Sequence, residues 1–325
     1  MQARAGNMGM NVLGFQTTLL DRVEFSGVGV HSGQPVSMSL LPAEANTGIL
    51  FSVTCPKTGE TREIPATVNS IGATDLCTVL GDPAGVYIAT TEHLMAALVA
   101  LNIDNVIVEI DSAETPVMDG SSHEFIEAIN AVGIVELGEP RCYLKVLKPV
   151  RVDMGSSWGE LIPYEGTRFE IEIDFDSKAI GRQLFKGDIT AESFTREISR
   201  ARTFGFMKDV ERLWAAGFAL GSSLENSVVI GNDNRVINPE GLRYEDEFVR
   251  HKTLDAIGDL ALAGAPLIGC FRSYRGGHKL NSLVLKALLS DRSAFEFVGA
   301  SALRPRVRHG ELVAVSAPAY APIHS

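Results

Sequence analysis

Apolar and polar positions change rhythm several times along this chain. Between residues 16 and 90 the apolar residues come in short bursts. "QPVSMSLLP" and "GILFSVTC", broken by Gly and Pro, predict strands. "TTEHLMAALVALN" shifts to a helical spacing, with Thr91 at an N-cap position and Asn102 where a left-handed cap would end the helix. "NVIVEI" reads as a strand and "DGSSHEFIEAINAVG" as a second helix. Ser121 and Glu124 have the spacing of a capping box there, and Gly133 stops the helix. Gly138 and Pro140 mark "ELGEPRCY", residues 136–143, as a linker. Beyond it "YLKVLKPVRV", "WGELIPY" and "RFEIEIDF" predict strands, the last alternating as a half-exposed strand does. Residues 180–240 are less regular. "FVRHKTLDAIGDLALAG" then predicts a helix, "PLIGCFRSY" a strand and "HKLNSLVLKALLS" a last helix. Both halves run strands, a His-bearing helix, a strand and another helix, an order that suggests an internal duplication.

The helix beginning at Phe248 carries the sharpest anomaly. At 100° per residue, His251, Lys252, Asp255 and Asp259 share an arc of about 100°, and most of the remaining circumference is apolar. Buried charges must be paired or bind a metal. His251 and Asp255, at i and i+4, can reach one ion, and both are acceptable zinc ligands. The competing reading is a buried His–Asp hydrogen bond. "TTEHL" offers His93 as a third ligand and Glu92 as a base in the first turn of a helix, against a plain solvent-facing turn. His278 follows two glycines at a helix start. It could act as an acid paired with Asp259, or simply cap the helix. "GVGVHSG" fits neither G-x-G-x-x-G nor a P-loop and reads as a tight turn, with His31 a candidate for lining a cleft. His123, His309 and His324 read as surface or tail residues.

Composition narrows the classes. A chain of 325 residues holds one large or two ordinary domains, and 45% hydrophobic with 21% charged residues is an ordinary globular balance. The net charge of −11 argues against nucleic acid, so an anionic ligand would have to meet a local basic cluster. No apolar run reaches the roughly 18 residues of a membrane span, so no integral membrane segment is expected. The first fifteen residues read as a flexible lead-in rather than a signal peptide. Cys55, Cys77, Cys142 and Cys270 lack any C-x-x-C spacing. Buried free thiols in a reducing cytoplasm are expected.

Taken together, "SGVGVHSG", "TTEHLMAAL", "DNVIVEI", "PVMDGSSHEFI", "SRARTFGFM", "YEDEFVRHKTLDAIGDLAL" and "GGHKLNSLVLKAL" resemble the UDP-3-O-acyl-N-acetylglucosamine deacetylases of lipid A synthesis. The resemblance covers about residues 16–300. It implies an α+β fold of two similar domains, 16–138 and 139–303, each layering sheets against helices with the site between them. An insert near 206–230 would form an acyl passage, and 304–325 would be a loose tail. The resemblance also implies Zn2+ held by His93, His251 and Asp255, Glu92 as general base, and His278 as the catalytic histidine held by Asp259. Thr203 would help stabilise an oxyanion. Lys252 and Phe204 fall on substrate-contacting positions, Phe206 is a nearby apolar candidate, and Cys77 falls close to the metal. The substrate would be a UDP-linked acylated amino sugar, with Lys252 and one of Arg272, Arg275 or Lys279 meeting its diphosphate. A cytoplasmic monomer is expected. Two rivals remain at this point: a zinc amidohydrolase on another acylated amino sugar, and an inactive sugar-nucleotide binding protein.

Overall fold

The computed structural model describes residues 14–55 and 58–299. The lead-in up to residue 13, the tail, the second domain's end at 303, and His309 and His324 lie outside these residues. Two mixed sheets organise the chain. The first has five strands in the order Val23–Val28, Pro35–Pro42, Val106–Ile110, Ile49–Thr54, Thr61–Pro65. The second has seven. Its path runs Val150–Met154, Ser157–Ile162, Leu267–Tyr274, Tyr143–Val146, Phe295–Val298, and Thr167–Asp174 joins Leu267–Tyr274 and carries Arg182–Asp188 outside it. Among the described residues six α-helices accompany them: α1 Glu92–Ala100, α2 His123–Val132, α3 Ala191–Glu197, α4 Met207–Ala215, α5 Glu247–Leu260 and α6 His278–Ser290. Sheets and helices segregate as the α+β expectation requires.

The alternation in "RFEIEIDF" becomes a strand with Phe169, Ile171 and Ile173 turned into the core. α5 packs over that strand, and α6 lies on the neighbouring strands Val150–Met154 and Ser157–Ile162. On the other sheet, Phe25 meets Phe125 of α2 edge to face, with ring centroids 5.1 Å apart. Between the two sheets, α1 and α5 pack against each other. This contact demands a glycine: a Cβ on Gly258 would stand 2.0 Å from the Glu92 carbonyl oxygen. The close approach brings the first turn of α1 against the last turn of α5.

Several local expectations change. "ELGEPRCY" is not a linker over most of its length: Ile134–Pro140 is a strand antiparallel to Phe15–Leu19, so Phe15 is also part of the fold rather than of a flexible lead-in. The capping box at Ser121 does not form. α2 starts one residue later, with Ser122 as its N-cap. The Ser121 hydroxyl is already committed, donating to Asp119 Oδ1 at 2.7 Å and accepting from the His123 N–H at 3.1 Å. A capping box occurs instead at Thr190 and Ser193, at the start of α3 in the region that looked irregular. Thr91 is the N-cap of α1, but its side chain does not cap the helix. Asn102 at φ 62° and Gly133 at φ 89° end their helices as expected. "YLKVLKPVRV" splits into two strands around Leu147 and Lys148.

Candidate functional site

The first turn of α1, the middle and last turn of α5 and the start of α6 converge. They bury Glu92, His93, His251, Asp255 and Asp259 together, with His278 only slightly more open. The Nε2 atoms of His93 and His251 lie 3.6 and 3.3 Å from the same oxygen, Asp255 Oδ1. Their rings stand 5.0 Å apart, nearly perpendicular. The other Asp255 oxygen accepts from Lys252 Nζ at 2.7 Å.

The tautomer of His251 can be assigned. Its Nδ1 is 3.1 Å from the Ala201 carbonyl oxygen, which can only accept, so Nδ1 carries the proton and Nε2 presents a lone pair. Burial drives the ring's pKa down to about 3, against the pull of Asp255, so the ring is neutral. Burial works against the Asp255 carboxylate too, but the positive charge of Lys252 and the nearby His278 outweigh it and hold the carboxyl well below the usual range. A bare lone pair therefore faces a bare carboxylate oxygen. Asp255 Oδ1 is buried without a hydrogen-bond partner. One donor atom from each of His93, His251 and Asp255 lies within 4.8 Å of the others. Two imidazoles and a carboxylate form a donor set that suits zinc, and a cation is what this orphaned oxygen lacks.

Beside this group lies a second cluster. His278 Nδ1 donates to Asp259 Oδ2 at 2.9 Å, and its Nε2 lies 3.8 Å from Glu92 Oε1 and 3.9 Å from Asp255 Oδ2. Burial opposes a charge on His278, but Asp259 and Glu92 overcome it and push the pKa up to about 9. Burial raises the Glu92 carboxyl above its ordinary value, partly countered by His278 and His93. Asp259 Oδ2 also accepts from Asn281 at 2.8 Å, and Asp259 Oδ1 from the Thr78 hydroxyl at 2.5 Å. The sequence did not single out Asn281 or Thr78. Asn281 stands three residues after His278 on α6, the spacing of a shared helix face, and Thr78 is adjacent to Cys77.

Only some of the remaining candidates lie against these clusters. Cys77 is buried, and burial followed by the nearby Glu92 charge pushes its thiol up to about 12, so it is an inert thiol. The Thr203 N–H donates to the Gly120 carbonyl and the Thr203 carbonyl accepts from Val228 N, both at 2.8 Å. This fixes Thr203 two residues from Ala201. The Phe204 ring packs on Phe248 and meets His251, with centroids 5.0 and 6.2 Å away. Phe206 instead meets Phe175 and lies under the Lys208 ammonium. Arg272 pairs with Glu160 and Glu170, across the sheet from α6, and Arg275 donates to the Asp174 carbonyl. His31 does approach the site: burial lowers its pKa, and the charges of Glu114, His278 and His93 act on it. Its turn wraps around the buried Glu114 carboxylate, which accepts from the His31 and Ser32 N–H groups at 2.9 Å each. His123 lies 3.2 Å from Glu127, one turn along α2.

A family model described as UDP-3-O-acyl N-acetylglycosamine deacetylase matches residues 16–290. Proteins named UDP-3-O-acyl-N-acetylglucosamine deacetylase from Brucella ovis and Brucella abortus are each 59% identical over 286 residues, covering 88% of this chain and 99% of theirs. The relative of that name from Brucella melitensis biotype 2 matches at the same identity and coverage. At that extent and identity, with the motif order intact from the turn at His31 to α6, the chain belongs to the UDP-3-O-acyl-N-acetylglucosamine deacetylase family.

Proposed function

We propose that this chain hydrolyses the N-acetyl group of UDP-3-O-acyl-N-acetylglucosamine, releasing acetate and the free amine for lipid A synthesis. The carrying observation is the orphaned Asp255 Oδ1 facing two ring nitrogens, next to the buried Glu92 carboxyl and the His278 imidazole. His93, His251 and Asp255 would hold a zinc ion. Bound there, zinc would supply Lewis acidity to water and to the acetamide carbonyl.

The chain's own groups supply the rest. Glu92, with its raised carboxyl, takes the proton released as water attacks the carbonyl carbon. Thr203 donates to the oxygen as it gains negative charge, and Lys252 adds a nearby positive charge. His278, kept cationic by Asp259, delivers a proton to the departing nitrogen. The C–N bond breaks, a C–O bond forms, and acetate and an amine leave. Phe204 lines the approach to His251, Cys77 closes the wall behind Glu92, and Lys252 also attracts the diphosphate.

The acyl chain would run along residues 206–230. α4 has no buried residue, and its Met207 and Trp214 are exposed, an uncovered apolar face that suits a lipid tail. Phe206 would stand at its entrance. We take 16–138 and 139–303 as two units with the site between them. We also place the protein in the cytoplasm as a monomer. The thiols of Cys77, Cys142 and Cys270 are free, and no helix among the described residues is long and apolar enough to cross a membrane.

Acetate release from the acylated substrate tests the reading. Activity should appear with zinc, vanish with a chelator and return on adding zinc. Equal turnover of a sugar nucleotide lacking the 3-O-acyl chain would overturn the assigned substrate. A zinc-loaded chain that releases no acetate would overturn the activity.

A further inference from the structure

We propose that Thr78 is a positioning residue that fixes the acid and the base of this site relative to each other. The inference rests on reading Glu92 and His278 as those groups. Thr78 is almost fully buried, just before the short strand Val79–Gly81, and all of its polar groups point at the catalytic helices. Its N–H donates to Glu92 Oε2 at 3.1 Å. Its hydroxyl donates to Asp259 Oδ1 at 2.5 Å. Its carbonyl accepts from the N–H and hydroxyl of Thr91, the residue that precedes Glu92. One residue thus ties the first turn of α1 to the last turn of α5.

The consequence for Asp259 is geometric. Asp259 Oδ2 serves two partners, His278 Nδ1 and Asn281 Nδ2. The Thr78 hydroxyl occupies the other oxygen and stops the carboxylate from rotating about its Cβ–Cγ bond. With the carboxylate fixed, the imidazole it holds keeps Nε2 directed between Glu92 and Asp255. The backbone donor on Glu92 similarly leaves Oε1 as the oxygen turned to His278. Preorganisation of this kind acts on the chemical step and leaves substrate affinity alone.

Valine is nearly isosteric with threonine and would remove the hydroxyl while keeping both backbone links, whereas serine would keep the hydroxyl. The experiment measures kcat and KM for acetate release by zinc-loaded wild type, Thr78→Val and Thr78→Ser. It repeats Thr78→Val in a His278→Ala background. In parallel it follows the low-field proton of the His278–Asp259 hydrogen bond by NMR in metal-free protein with labelled histidine.

Thr78→Val should lower kcat by roughly ten- to a hundredfold, the scale of a lost hydrogen bond to a charged group, with KM within about twofold. Thr78→Ser should restore most of the rate. In the His278→Ala background the valine should cost nothing further, because the group it acts through is gone. The proton resonance should shift or broaden with valine and not with serine. An unchanged kcat and resonance in Thr78→Val would overturn the proposal. So would serine failing to rescue, or an undiminished valine effect without His278. A wild type that holds zinc but releases no acetate would sink the reading of the site instead, and the resonance comparison would still decide whether Thr78 holds the His278–Asp259 pair.

Discussion

Helix α5 carries two clusters of buried charge, and they differ in one respect. At its start, Glu247 and Arg202 are both nearly inaccessible to solvent. Glu247 Oε1 accepts from Arg202 N and Nε, and Oε2 from Arg202 Nη2 and Arg243 N. The guanidinium spends its remaining donors on Glu240 and the Gly241 carbonyl. Every strong donor and acceptor is matched. In the middle of the same helix, Asp255 is as deeply buried, yet its Oδ1 has no hydrogen-bond partner, and the His251 ring nitrogen facing it carries no proton. Burial alone therefore does not mark function. The closed network holds the helix start in place; the open one leaves an acceptor unmatched.

Substitutions can break or sharpen this contrast. The largest effect is expected in the open cluster: Glu92→Gln should lower kcat by about 10²–10⁴-fold while zinc content stays at wild type. Full activity in that variant would remove the base from the site. Next, Glu247→Ala strands the Arg202 guanidinium and should cost about 3–5 kcal/mol in denaturant unfolding. Zinc affinity of the remaining folded protein should not change. A matching loss of affinity would mean that the two clusters are one.

Gly258→Ala forces a Cβ into the Glu92 carbonyl and should cost about 1–3 kcal/mol. It should also weaken zinc binding, because it separates the helices that carry His93 and His251. Wild-type zinc affinity in that variant would show that the helix contact does not set the ligand spacing.

The smallest effect lies where the closed network reaches the surface. Burial opposes ionisation of Asp119, but Ser121 and Arg243 outweigh it and hold the carboxyl below its usual value. The stabilisation this gives is present above the ordinary Asp pKa of about 3.9 and is lost as pH falls through the lowered value. Arg243→Gln should therefore unfold more easily than wild type near neutral pH by about 1 kcal/mol or less, and the gap should close in acid. A gap that widens on acidification would reverse the assignment.

Much of the helical framework was legible. α6 runs from His278 to Ser290 as its pattern predicts, and the ionisable arc of α5 does face the interior. Periodicity works for α6 because it has one buried face, and for α5 because its ionisable residues stand out against a helix buried nearly all round. It fails for Ile134–Pro140, where almost every side chain is exposed and the strand exists only by pairing with Phe15–Leu19. It fails for α4 for the same reason. In the candidate site, the residues that carry charge stood out by type and spacing. Thr78 did not, because its two side-chain partners lie 14 and 181 positions away and nothing local signals them. Gly258 reads in sequence as a mildly weakening helix residue, and only the crossing of α1 explains it.

The central claim is that the open cluster holds a metal ion, and direct titration tests it best. Metal-free protein should take up one Zn2+ per chain and unfold at a higher temperature when loaded. Asp255→Asn and His251→Ala should do neither. Wild-type protein that binds no zinc, or an Asp255→Asn variant that binds it as tightly as wild type, would contradict the account.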